Sequence, residues 1–168
     1  MTTLARVREV CRGDAVLALV TIGLRLSLGA SFLSAVVDRF GWWGPPGTES
    51  VAWGDMAQFE AYTQVLVPFA TGGLLSTLAW AATVVEIILA LTLIIGWRVV
   101  EAALVAAGTL FVFGFSMAIA LPQSPLSFNV PTAMMAAAAL AVLTARLQNP
   151  APVSVDALQS KRTSDAGT

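Results

Sequence analysis

Residues 19–32 read LVTIGLRLSLGASF, and the arginine in the middle of that run decides how the chain is to be folded. Around Arg25 the positions are apolar, small or hydroxylic, and the apolar stretch runs from Ala15 to Val37. That is long enough for a helix to cross a hydrocarbon core of about 30 Å. A guanidinium at such depth costs at least ~2.5–3.5 kcal/mol on insertion scales, so it needs a partner or a chemical task.

Composition places the whole chain in the same setting. Of 168 residues, 57% are hydrophobic and 11% charged, and the mean hydropathy is +0.80, whereas a soluble domain carries about 25% charge. A net charge of −1 gives no electrostatic case for nucleic acid. One cysteine, Cys11, and no histidine leave no internal disulfide, CxxC pair, histidine-ligated haem or ordinary zinc site. No metal ligand set is expected. Redox work by this chain would need a cofactor carried by a substrate such as quinone, or by another subunit.

Three further apolar stretches follow, Leu74–Ile95, Ala102–Leu121 and Val130–Ala145, the last short unless Asn129 and Arg146 to Leu147 are counted as its ends. The expectation is an all-α, integral membrane four-helix bundle over residues 15–147, with a basic segment at 1–14 and a Pro-, Ser- and Ala-rich, disordered tail at 148–168. Seven basic residues fall on one side of that arrangement, and Arg39 stands alone on the other. By the positive-inside rule both termini are cytoplasmic. The apolar run at the N-terminus is too long for a cleaved leader and is retained as a signal anchor.

The connection between the first two spans carries GWWGPPG (41–47) and then VAWGDMAQFEAYTQVLVPF (51–69). Asp55 and Gln58 have capping-box spacing, and Met56, Phe59, Thr63, Leu66 and Phe69 recur at helical intervals. A short amphipathic helix is predicted in this outer loop. Trp42, Trp43 and Trp53 suit interfacial anchors, with a ligand-gating lid as the other reading.

Glu86, in AATVVEIILAL, is the second charge inside a span. Counted from the cytoplasmic ends of their helices at 1.5 Å per residue, Arg25 and Glu86 lie level, so the two are expected to pair through two hydrogen bonds. Ala79, Ala82, Thr83 and Ala90 share the face of Glu86, and Thr21 and Gly29 lie one turn from Arg25 on either side, so the backbones could approach closely there. Two readings stay open: a registration bridge, or a site where the carboxylate relays protons or binds a quinone oxygen while Arg25 polarises the same ligand. At the outer end of the first helix Asp38 and Arg39 read as a boundary ion pair, and Asp55 and Tyr62 could join them to line an outward-facing pocket. Phe111, Phe113, Phe115, Met134 and Met135 read as packing.

The segments LRLSLGASFLSAVVDRFGWWGPPG, VAWGDMAQFEAYT, ATVVEIILALTLIIGWRVVEAAL and PLSFNVPTAMMAAA resemble bacterial DoxX-family proteins, near the DoxD-type small subunit of thiosulfate:quinone oxidoreductase. The resemblance spans roughly residues 17–145. It implies a four-helix protein of the bacterial plasma membrane with an arginine matching Arg25 and a glutamate matching Glu86. It further implies a subunit linked to sulfur-compound oxidation or redox-stress defence, assembled with a second redox subunit or soluble enzyme. It supplies no catalytic residues. A homo-oligomer, and a non-enzymatic scaffold that recruits partner proteins, are the alternatives.

Overall fold

The computed structural model describes residues 14–121 and 130–148, with Ser154, Val155, Gln159 and Arg162 beyond them. The basic N-terminal segment with Cys11, the 122–129 connection with Asn129, and most of the tail expected to be disordered lie outside the described residues. Among the described residues the chain is helical and contains no strand. The elements are α1 (Asp14–Arg39), α2 (Met56–Leu66), α3 (Gly73–Ile95), α4 (Val99–Ala120) and α5 (Val130–Gln148).

Three helices, α1, α3 and α4, are long and apolar enough to cross a membrane, whereas the apolar part of α5 is the shorter Thr132–Leu143. Their outward faces carry large apolar side chains, including Leu19, Ile88, Leu104, Phe111 and Ile119, all more than half exposed. Such a surface belongs against lipid rather than water, so this is a membrane-associated protein. Phe111 and Phe115 stack on that surface with ring centroids 6.3 Å apart, on the outside where interior packing was expected. Phe113, between them, turns inward.

The core is built from small and branched residues. Leu28 and Phe32 of α1 meet Leu89, Ala90 and Leu93 of α3, with Ala106 and Leu110 of α4 and Ala139 of α5 completing the cluster. α1 packs chiefly on α3 and α5, and α4 chiefly on α5 and α3. α1 and α3 approach closely at Gly29: a Cβ there would lie 2.8 Å from Ile94 Cγ1 and 3.2 Å from the Ala90 carbonyl oxygen. Of the small residues expected to let the two helices approach around an Arg25–Glu86 contact, Gly29 and Ala90 do meet, in a different register.

That contact sets how far α1 is slid along α3. Gly29 lies opposite Ala90 and Ile94, the Arg25 guanidinium lies against Gly96 just past the end of α3, and Arg39 reaches Thr83 and Glu86. α1 therefore stops about halfway along α3. Its end is fixed by Gly41, whose φ of +76° permits the paired bonds Gly41 N–H to Asp38 C=O at 2.9 Å and Trp42 N–H to Val37 C=O at 3.1 Å.

Helix α2 fills the space that α1 vacates. The Asp55 carboxylate accepts the Gln58 N–H at 2.7 Å, the cap expected from the sequence spacing. Ser76 Oγ of α3 donates to Glu60 of α2 at 2.7 Å, tying the two together. Asp55→Ala should cost about 1 kcal/mol of stability through the lost cap, measured by unfolding in detergent micelles.

Candidate functional site

The stagger of α1 against α3 determines which charges meet. Glu86, in the middle of α3, pairs with Arg39, the last residue of α1. The pairing expected from depth, Arg25 with Glu86, is not formed. The correction moves the partner about four helical turns along α1. Depth counting assumed that α1 and α3 begin and end at the same height, and the Gly29 contact slides them past each other instead.

Arg39 and Glu86 are nearly sealed, with side chains 2% and 3% exposed. One guanidinium nitrogen, Nη2, donates to Glu86 Oε1 at 2.9 Å and lies 2.8 Å from Oε2. The other, Nη1, donates to Thr83 Oγ1 at 2.9 Å, and Thr83 in turn donates to the Ala79 carbonyl. The guanidinium thus spans α3 residues one turn apart rather than forking onto the carboxylate. Its Nε–H has no hydrogen-bond acceptor among the described residues.

Aromatic faces supply the rest of its surroundings. The Arg39 guanidinium carbon lies 3.6 Å from the Phe59 ring centroid and 5.1 Å from that of Trp53. Both distances are within cation–π range, and the attraction strengthens where water is excluded. Trp53 meets Phe59 edge-to-face at 5.2 Å and Tyr62 at 5.9 Å, so α2 and the segment before it present one aromatic wall to the charge. Burial pushes the Tyr62 phenol above its ordinary value of 10.0.

These groups border a cavity of about 310 Å³ reached by all five helices. Arg39 and Glu86 stand at its polar part with Tyr62, Thr63 and Ser116, while Phe32, Leu66, Leu110 and Met135 make much of the remaining wall. A cavity of this size, mostly apolar with a few convergent polar groups, is the usual form of a small-molecule site. It exists because α1 ends halfway up α3 and α2 bridges the gap.

The remaining sequence candidates separate. Asp38 does not pair with Arg39: its Oδ2 accepts the Trp53 N–H at 2.8 Å and so fastens the loop to α1. Asp55 is spent on the α2 cap. Trp42 and Trp43 are exposed, as anchors would be, but Trp53 is turned inward against Arg39. Arg25 lies at the far end of the molecule beside Gly96 and Ser154. No group of three or more acidic, histidine or cysteine residues suited to a metal occurs among the described residues. Thr83 and Phe59 were not among the expected site residues. Their signals were the i, i+3 spacings Thr83 to Glu86 and Phe59 to Tyr62, each putting a polar group on the same helix face as its neighbour.

No protein-family model, curated protein or solved structure matches the chain.

Proposed function

We propose that this chain is the membrane subunit of a quinone-linked redox system, a DoxX-like protein of the bacterial plasma membrane that takes a quinone into the cavity at Arg39 and Glu86. In this reading α1, α3, α4 and α5 form a four-helix transmembrane bundle with both termini cytoplasmic, and α2 closes its outer end. The supporting observation is the apolar cavity of about 310 Å³ with a buried guanidinium–carboxylate pair in its wall. A quinone combines an apolar ring with carbonyl oxygens that accept hydrogen bonds, and the guanidinium offers donors to such an oxygen. Reduction to the quinol consumes two electrons and two protons. A partner redox subunit or soluble enzyme supplies the electrons, with thiosulfate or another reduced sulfur compound as donor, and in this reading Glu86 relays the two protons in turn from water.

Calorimetric titration of the protein in nanodiscs with a short-chain quinone analogue tests this. Saturable binding is expected, weakened at least about tenfold in Arg39→Lys, which keeps the charge and loses the planar fork. Absence of saturable binding by folded protein would sink the proposal. The second reading, a scaffold, draws on the way Arg39–Glu86 and Ser76–Glu60 merely lash helices together. It predicts that Glu86→Gln lowers folded yield while what survives recruits partners normally.

A further inference from the structure

A second concavity shares Ser31, Ala35 and Trp53 with the first and belongs to neither reading above. It is a cleft of about 500 Å³ between α1 and the loop that follows it, and it has one charged lining residue, Asp38. Asp38 is 4% exposed. One of its carboxylate oxygens holds the Trp53 N–H, and the other, Oδ1, has no hydrogen-bond partner among the described residues. The neighbouring cation, Arg39, is committed to Glu86, so no ion pair neutralises Asp38 among the described residues.

The rest of the lining completes a recognisable chemistry. Ser31, Ser34 and Ser50 line the cleft together with Trp43 and Trp53, so hydroxyl-bearing and aromatic residues surround Asp38. Trp43 is held in place by its Nε1–H, which donates to the Ser34 carbonyl at 3.2 Å. The lining contains no lysine or arginine. A buried anion, hydroxyl acceptors and aromatic faces together disfavour an anionic ligand and favour a cation that can donate hydrogen bonds.

We propose that this cleft binds a small primary ammonium group, with Asp38 as its counter-charge, the serine hydroxyls as acceptors and Trp43 and Trp53 as its cation–π walls. The group can arrive as a free amine or as the headgroup of an aminophospholipid. Both present the same –CH₂–NH₃⁺ end to the cleft.

Asp38→Asn provides the test, because the amide oxygen still accepts the Trp53 N–H while the charge is lost. For the free amine, ligand-observed NMR is run with ethanolamine on the protein in phosphatidylcholine nanodiscs. For the lipid, phosphatidylethanolamine retained through detergent purification is counted by mass spectrometry. Saturable ethanolamine binding that weakens at least about tenfold in Asp38→Asn assigns the site to a free amine. Retained phosphatidylethanolamine that is lost in Asp38→Asn, without ethanolamine binding, assigns it to lipid. Trp43→Leu, at a half-exposed wall, should weaken whichever binding is found by about threefold or more, and it serves as the variant should Asp38→Asn not fold. The proposal is overturned by tetramethylammonium binding as well as ethanolamine, by binding indifferent to the variants, or by neither ligand being held. Quinone binding is read separately, so either result can fail alone.

Discussion

Arg39→Met is expected to cost about 3–5 kcal/mol of folded stability, since it leaves the Glu86 carboxylate buried with no cation beside it. Adding Glu86→Met should restore most of the loss, because an apolar pair of similar volume avoids the desolvation of both ions. The two single changes therefore must not add, and the shortfall from additivity measures the interaction. Reversible unfolding in mixed micelles reads all four proteins. Arg25→Met is the control: its effect should add to that of Glu86→Met, because Arg25 lies at Gly96, remote from Glu86. Coupling of Glu86 to Arg25 instead of Arg39 would refute the helix register described above.

The second large effect is expected at Gly54. Its φ of +76° is a left-handed conformation that costs a side-chain-bearing residue about 1–2 kcal/mol. A Cβ there would also lie 2.5 Å from Pro46 N and 2.8 Å from Pro45 C. Those are backbone atoms of two prolines whose φ angles are locked, so they cannot move aside cheaply. Overpacking of this kind adds roughly 1–3 kcal/mol. Gly54→Ala should also displace Trp53, its neighbour in sequence, and so abolish quinone-analogue binding in the same titration. Gly47→Ala separates the two contributions: its φ is +87° but nothing lies within 4 Å of the added carbon, so only the conformational cost applies. Equal losses at the two positions would mean that the loop does not pack as described.

The helices were readable because hydropathy and caps are local properties. The apolar run after Ala15 and the Asp55 cap follow from residues close in sequence, and small residues on facing helices marked where contact was possible without saying which of them would meet. The pairing of Glu86 was not readable from depth. How far one helix is slid along another is decided by side-chain interlocking, here Gly29 against Ile94, and hydropathy does not encode it. Arg39 was misplaced for a related reason: at the end of an apolar run it looks like an interfacial cation, and only the stagger carries it inside. Trp53 shares the sequence signature of Trp42 and Trp43. It is turned inward because the Asp38 carboxylate fastens its backbone to α1, a contact between residues that no periodicity connects.

Trp53 lines both concavities, and its ring packs against Arg39 while its amide is bonded to Asp38. It is a wall common to both. A guest that shifts the indole alters the volume and the cation–π face offered to a guest in the other concavity. By linkage, whatever factor the first occupant imposes on the second, the second imposes on the first. The hydrogen bond from the Trp53 amide to Asp38 and the ring contacts with Phe59 and Tyr62 together set how stiffly that shared wall resists such a shift.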